Sequence, residues 1–178
     1  MIPDALATKI ARTMAVLILI VVVVLMLTVV SFGLYAKTMA ELVPSDSPHK
    51  MDLSGLTLGL QAALFPLIVI PAATYCWGLL GLRRTFLEAA DGRTFSTPAV
   101  SGFRRFAVVS LIVVCANVII EPVIFAIFTY ADPNQPGSLA INFGSEEIEA
   151  IFNSVLVFFA AHVFVLAKKT KDENDAFI

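Results

Sequence analysis

The stretch MAVLILIVVVVLMLTVVSFGLY, residues 14–35, decides the fold class of this chain. It contains no charged residue, and a transmembrane helix needs about 20 mainly apolar residues. It follows Lys9 and Arg12, as the apolar core of a cleaved signal peptide would. Such a core is only about 7–15 residues long, so we expect an uncleaved membrane anchor here.

Three further segments are long and apolar enough to cross a bilayer, at about residues 56–82, 106–130 and 148–167. The composition agrees with this interpretation, because 58% of the 178 residues are hydrophobic and only 15% are charged. The mean hydropathy is +0.89, and soluble domains are about 45–50% apolar and about 25% charged. We therefore predict one all-α transmembrane domain over residues 1–178, an integral membrane four-helix bundle in contact with the lipid bilayer.

The basic residues indicate how the predicted spans are oriented. Of the 12 lysines and arginines, only Lys37 and Lys50 fall between spans one and two, and residues 131–147 contain none. All the others precede span one, connect spans two and three, or follow span four. Cytoplasmic flanks are enriched in lysine and arginine. The charge distribution thus predicts a multi-pass membrane protein with both termini in the cytoplasm.

The connection between spans two and three, LRRTFLEAADGRTFSTPAVSGFRRF at residues 82–106, contains signals for two helix ends. Gly92 stands where a helix C-cap glycine belongs. Ser96 or Thr97 can cap the next helix, and Pro98 suits its first turn. A helix over residues 56–90 would be about 50 Å long, against a hydrocarbon core of about 30 Å. We therefore expect spans two and three to extend into a cytoplasmic helical hairpin over residues 83–105.

This hairpin admits a structural and a functional interpretation. Arginines at a membrane boundary anchor helices and set their orientation, and Phe95 would then fill the hairpin. Alternatively, the hairpin is a docking surface for a cytoplasmic protein partner. The residues predicted to contribute to that surface are Arg83, Arg84, Arg93, Phe95, Arg104 and Arg105.

The hairpin and the C-terminal tail together resemble an uncharacterised bacterial membrane family, the domain of unknown function twenty-nine seventy-five. The similarity rests on residues 82–86 (LRRTF), 92–96 (GRTFS), the pair at 104–105 and the acidic tail at 172–174. Ala176 departs from the glycine that often precedes the last aromatic residue of the family. The resemblance implies four spans in a bacterial inner membrane and no assigned activity. Many members are encoded beside small helix-turn-helix regulators, which would suit a regulatory partner.

Four polar side chains within the predicted spans require an explanation, because such groups are costly to place in lipid. They are Gln61, Asn117, Glu121 and Asn153. Counted from the ends of the spans away from the 83–105 hairpin, Gln61, Glu121 and Asn153 lie at similar depth, so we expect them to converge in the bundle interior. Asn117 is four residues before Glu121 and shares its helix face. They would either join helices through hydrogen bonds or form a proton or cation site at Glu121.

Two pairs of small residues four positions apart, Gly55 with Gly59 and Ala11 with Ala15, are candidates for close helix approach. In a chain rich in alanine and glycine, such pairs also arise by chance. The structure has to decide which of them bring helices together.

No pattern of nucleophile, base or metal ligands points to an enzyme, and we expect no catalytic residues, metal or cofactor. The net charge of −2 excludes a bulk electrostatic attraction to nucleic acid. The sequence therefore predicts a non-enzymatic membrane protein that binds a cytoplasmic or membrane partner through the hairpin. The alternative is a small transporter or an ion-conducting homo-oligomer that uses Glu121.

Overall fold

The computed structural model describes residues 5–41, 57–131 and 144–176, and these residues form four α-helices with no strand among them. The helices are α1 (Ala5–Glu41), α2 (Leu58–Ala90), α3 (Thr97–Ala131) and α4 (Ser145–Asp175). Each has the length and apolar composition needed to cross a membrane. The all-α prediction with four candidate spans is thus confirmed for the described chain.

The helices are longer than the apolar segments that predicted them. The α2 helix ends at Ala90 and α3 begins at Thr97, within one residue of the predicted ends. By contrast, α1 begins at Ala5 and α4 continues to Asp175. The α1 helix is broken at Tyr35 (φ −120°, ψ 25°), the predicted end of the span, and then continues to Glu41. Hydropathy marks only the part of a helix that suits lipid, whereas the helix itself continues into its polar flanks. The predicted loops therefore begin later, and residues 42–56 and 132–143 lie outside the described residues.

The four helices pack in chain order. Within the described residues, the backbone contacts join α1 to α2, α2 to α3 and α3 to α4, and none joins α4 to α1 or to α2. The rings of Phe32 and Phe128 add one contact between α1 and α3, with their centroids 6.5 Å apart. The arrangement is therefore a row of neighbours in which α2 and α3 are central.

Consecutive helices run in opposite directions, which brings the basic flanks together. Gly81 lies against Gly102, and the ring of Phe103 contacts that of Phe164. The start of α1, the end of α2, the start of α3 and the end of α4 therefore share one end of the molecule, called the basic end below. Ten of the 12 lysines and arginines, all except Lys37 and Lys50, lie in the segments that meet at this end.

A glycine contact joins the two central helices near the basic end. A Cβ atom placed on Gly102 would lie 2.4 Å from the carbonyl oxygen of Gly81, and one on Gly81 would lie 2.8 Å from that of Gly102. One turn away, a Cβ atom on Gly78 would lie 2.9 Å from Cγ1 of Val109. Only glycine permits backbones to approach this closely. The glycines at 78, 81 and 102 thus set the spacing and the register of α2 and α3.

The small-residue pairs proposed from sequence have different outcomes. Ala11 and Ala15 are both buried on α1, in agreement with a close helix approach there. Gly59 does not take part in a close approach, since a Cβ atom on it would meet only Oγ1 of Thr57, 3.8 Å away. Gly55 lies outside the described residues.

Large apolar side chains cover much of the outer surface of all four helices, such as Ile70, Ile119 and Phe159, each more than 60% exposed. A soluble protein rarely exposes apolar surface on this scale, and a bilayer is the environment that accepts it. The length, composition and surface of the helices therefore indicate a multi-pass membrane protein.

We predict that Gly102→Ala lowers the free energy of unfolding by about 1–3 kcal/mol, the usual cost of overpacking a tight contact. The added methyl group has to push α2 away from α3. Unfolding of the purified protein in mixed detergent micelles, titrated with a denaturing detergent, measures this change. Gly59→Ala is the matched control, and it should leave stability unchanged or slightly raised because alanine is the better helix former. Equal stabilities for the two variants would contradict the glycine contact.

Candidate functional site

The end of α2 is closed by a Schellman motif, which fixes the course of the chain into the turn at residues 91–96. The N–H of Arg93 donates to the carbonyl oxygen of Glu88 at 2.9 Å, and the N–H of Gly92 donates to that of Ala89 at 3.0 Å. Gly92 has a φ of 77°, a left-handed conformation that glycine adopts without steric cost. The helix end predicted at this glycine is therefore confirmed.

The carboxylate of Glu88 connects three parts of the turn. Its Oε2 atom accepts a hydrogen bond from Nε of Arg93 at 3.0 Å and another from the hydroxyl of Ser96 at 2.9 Å. In a Schellman motif, the positions that Glu88 and Arg93 occupy usually make an apolar contact. Here an ion pair between the two side chains replaces that contact. The Glu88 side chain is only 17% exposed, although the Arg93 side chain is 59% exposed.

Arg93 is also paired with the residue that caps α2. Its Nη2 atom lies 3.1 Å from Oδ2 of Asp91. The hydrogen bond to Glu88, together with the charges of Glu88 and Asp91, raises the pKa of Arg93 above its usual value. Both carboxylates therefore favour the charged form of the guanidinium group.

Ser96 ends the turn by capping α3. Its hydroxyl oxygen accepts a hydrogen bond from the N–H of Ala99 at 3.2 Å, and Pro98 occupies the first turn, where no N–H is needed. The hydroxyl of Thr85 donates to the carbonyl oxygen of Ala99 at 2.8 Å and so ties α2 to α3 just below the turn. The sequence left Ser96 and Thr97 as alternative caps, and the structure selects Ser96.

Phe95 connects the turn to α4. Its ring lies 5.2 Å from that of Phe164, and the ring of Phe103 lies 5.5 Å from Phe164 on another side. These centroid distances are typical of favourable aromatic pairs. Phe95 is thus half-buried and held by the fold, and it is not free to act as an exposed docking residue.

The remaining arginines predicted for the hairpin differ in their surroundings. Arg105 lies with its guanidinium 4.9 Å from the ring centroid of Trp77, a cation–π contact. Arg84 and Arg104 are exposed, and Arg83 is half-buried. None of these four arginines is paired with a carboxylate in the described part of the chain.

The structure brings together only two of the four polar residues predicted to converge within the spans. Asn117 and Glu121 line an open cavity of about 200 Å³ between α3 and α4, together with Glu146 and Glu147. Gln61 and Asn153 do not line it, and the side chains of Glu121 and Asn153 are exposed rather than interior. Gln61 is on α2 and Asn153 is on α4, and these helices make no backbone contact in the described chain, so the four cannot meet.

The carboxylates that line the cavity beside Glu121 are not gathered around one point. Among the described residues, no three histidine, cysteine or acidic side chains are grouped closely enough to hold a metal ion. Glu147 already accepts a hydrogen bond from the N–H of Gly144 at 2.7 Å, which caps the start of α4. Part of the acidic lining is therefore used to begin a helix.

Sequence reasoning missed two groups that organise the basic end. Glu88 has no role in the sequence analysis, and the signal that could have found it is its spacing, three residues before the cap Asp91 and five before Arg93. Trp77 carried no signal for Arg105, because the contact depends on the register that Gly81 and Gly102 impose.

We predict that Glu88→Ala accelerates cleavage by trypsin after Arg93 several-fold. The substitution removes the acceptor shared by Arg93 and Ser96, so the turn opens more often and its backbone becomes accessible. Limited proteolysis of the detergent-purified protein, with the fragments sized by mass spectrometry, gives the rate. Glu173→Ala removes the same side chain from an exposed pair with Lys169 on α4 (3.8 Å), and it should leave this rate unchanged. Equal rates in both variants would show that Glu88 does not hold the turn.

We also expect Phe95→Ala and Phe164→Ala to be coupled by about 0.5–1.5 kcal/mol in a double-mutant cycle of unfolding free energies, the range for direct aromatic pairs. A parallel cycle that pairs Phe95→Ala with Phe159→Ala serves as the control, because Phe159 is 65% exposed on the surface of α4. The control pair should be additive. Additivity in the first cycle as well would mean that the turn is not anchored on α4.

The chain was compared with known proteins at the levels of family, sequence and fold. No family model matches it, and neither do any curated protein sequences or solved structures. The resemblance of residues 82–86 and 92–96 to an uncharacterised bacterial membrane family therefore stays a prediction, and function has to be argued from the geometry of the chain itself.

Proposed function

We propose that this chain is a non-enzymatic inner-membrane protein that presents the turn at residues 91–96 to a cytoplasmic protein partner. The observation that carries the proposal is a turn that is fixed from within and open on its outer side. Glu88, Ser96 and Phe95 hold it through hydrogen bonds and ring contacts, while Asp91, Gly92, Arg93 and Thr94 are exposed.

A pre-ordered surface favours binding, because little conformational entropy is lost when the partner docks. An exposed loop that served only to connect two spans would need neither a partly buried carboxylate nor an aromatic contact to a third helix. The exposed rim of the turn is polar and contains both charge signs, which suits a soluble partner rather than the acyl chains of the bilayer.

The proposed orientation follows from the charge distribution. The basic end carries ten lysines and arginines, whereas the other flanks contain only Lys37 and Lys50. Positive charge is retained on the cytoplasmic side during insertion. In this orientation both termini and the turn are cytoplasmic, and α2 and α3 extend beyond the bilayer, since helices of 33 and 35 residues are about 50 Å long.

The alternative function, ion conduction or transport through Glu121, is less well supported by the geometry. Glu121 is exposed on α3 and shares its cavity with Asn117, but Gln61 and Asn153 lie elsewhere. A pathway across the bilayer requires polar groups in succession, and the described spans provide no such series from Glu121 toward the basic end. We therefore favour the partner-binding function.

Photo-crosslinking in intact cells tests the proposal. A photoreactive amino acid replaces Thr94, which is exposed and makes no side-chain bond within the described structure, so the turn is left intact. We expect one discrete protein adduct, identified by mass spectrometry as a cytoplasmic protein. The adduct should weaken strongly when Glu88→Ala is introduced, because that change loosens the turn, and it should persist with Glu173→Ala.

A second probe controls for random collisions. At Ile119, 71% exposed on the apolar surface of α3, the same photoreactive residue should not give this adduct. The absence of a protein adduct at Thr94 in cells where the protein is abundant and inserted would contradict the proposal. So would an identical set of adducts from both positions.

A further inference from the structure

The carboxylates at the basic end are largely committed to cations other than the four arginines of α2 and α3. Glu88 and Asp91 pair with Arg93, Asp172 pairs with Lys168, and Glu173 pairs with Lys169. Of the described carboxylates at this end, only Asp175 is outside these pairs. Arg83, Arg84, Arg104 and Arg105, called the arginine band below, form no ion pair with a carboxylate in the described chain. The charge of Arg84 also acts on Glu88, one turn farther along α2. The band is therefore a concentration of positive charge in which no arginine is ion-paired.

The glycine contact places this band at one level. Counted from Gly81 at about 1.5 Å per residue, Arg83 and Arg84 lie about 3 and 4.5 Å toward the turn. Counted from Gly102, Arg104 and Arg105 lie about the same distances on the other side. The band is thus about 9 Å deep, close to the 5–8 Å of the headgroup layer on each side of a bilayer. The side chains are long enough to make up the difference.

Trp77 places that level relative to the bilayer. It lies about 6 Å below Gly81, on the side away from the turn. Tyr130, which is exposed near the far end of α3, is about 36 Å from this level along the helix. Tryptophan and tyrosine are enriched at the two membrane interfaces, and the hydrocarbon core between them is about 30 Å thick. With Trp77 at the inner interface, the arginine band lies among the lipid headgroups.

Arg83 contains a polar atom that lacks a partner. Its Nε is buried and makes no hydrogen bond, the one such side-chain atom among the described residues. The guanidinium group of Arg83 is therefore not bound by an acceptor of the protein through this atom. The guanidinium group binds phosphate oxygens with favourable geometry.

We propose that the arginine band is a binding site for the phosphate of an anionic phospholipid. Arg83, Arg84 and Arg104 bind the headgroup, and the stem of Arg105 packs against Gly81 while its guanidinium contacts Trp77. The site lies below the turn and shares none of its exposed residues. It can therefore succeed or fail independently of the proposed protein partner.

The only tryptophan of the chain provides the test. The full-length protein is reconstituted in phosphatidylcholine vesicles that contain a small fraction of phosphatidylglycerol, with bromines on the acyl chains of one lipid or the other. Bromine quenches tryptophan fluorescence only at close range. We expect the brominated phosphatidylglycerol to be enriched about fivefold near Trp77 over its bulk fraction, the effect of about one arginine–headgroup contact. Equal quenching by the two lipids would overturn the proposal.

Matched variants separate a site from general attraction. Arg84→Gln and Arg104→Gln should each reduce the enrichment markedly. Lys171→Gln removes one positive charge from the same end. Because Phe164 is level with Phe103, Lys171 lies about 9 Å beyond the level of Gly81 and Gly102, on the side away from the bilayer. This variant should leave the enrichment nearly unchanged. An equal effect of all three variants would reduce the site to non-specific attraction and overturn it.

Two further measurements cover the remaining outcomes. The triple variant Arg83→Lys, Arg84→Lys, Arg104→Lys keeps the charge that orients the protein but cannot bind phosphate through the planar guanidinium. Partial loss of enrichment with unchanged Trp77 emission in pure phosphatidylcholine supports the site, whereas full retention contradicts guanidinium recognition. Inorganic phosphate at constant ionic strength should not displace phosphatidylglycerol. Displacement at millimolar concentration would instead assign the band to a soluble phosphate compound.

Discussion

The approach of Gly81 to Gly102 is the constraint on which the arrangement of the basic end depends. Without side chains at these positions, the two central helices lie almost backbone to backbone. The register that results allows Thr85 to bond across to Ala99 and allows only six residues to close the connection above it. The same register places the arginines of both helices within about 9 Å of one another along the helix axes. It also brings Arg105 over Trp77. The Gly81–Gly102 contact therefore positions both the turn and the arginines below it.

Above this contact, two kinds of interaction hold the turn in place, one polar and one aromatic. Glu88 provides a negative charge that is mostly shielded from water, and the arginine and the hydroxyl that it binds are separated from it by five and eight residues. Phe95 supplies the second restraint by packing on a helix that does not take part in the turn. Because each restraint uses the inner side of the connection, the outer side stays accessible. A short loop that is held in place is usually covered by the groups that hold it. In this turn the holding contacts are on the inner face, and the outer face is exposed.

Much of the fold could be predicted from the sequence because the bilayer imposes simple requirements. An apolar run such as residues 14–35 has few alternatives to a transmembrane helix, and Gly92 followed by Ser96 specifies where one helix stops and the next starts. Local signals of this kind can be interpreted from sequence, because the residue that ends or begins a helix lies within a few residues of that helix end. The helix ends in the polar flanks of α1 and α4 were harder to predict, because hydropathy shows where a helix leaves the membrane but not where it ends beyond it.

The candidate site was harder to predict, because it depends on which helices touch. Depth along the spans placed Gln61 and Asn153 at the level of Glu121, but depth does not determine neighbours, and α2 does not contact α4 in the described chain. The roles of Phe95 and Trp77 likewise depend on Phe164 and Arg105, residues that only the packed helices bring near. The interactions of Glu88 are intermediate in difficulty. Its partners are only five and eight residues away along the chain, but the contacts form only when the turn is closed.

Packing in chain order also has a consequence for biogenesis. A polytopic chain enters the membrane from its N-terminus, and each helix of this protein finds its backbone partner in the helix that was made immediately before it. No span has to wait for a distant segment to be synthesised, and loop closure between partners involves only short separations along the chain. The last helix, α4, then docks on Phe95 and Phe103, which are already in place. The fourth span thus completes the ordering of the turn, so a chain truncated before α4 would carry an inserted but unfinished surface at the basic end.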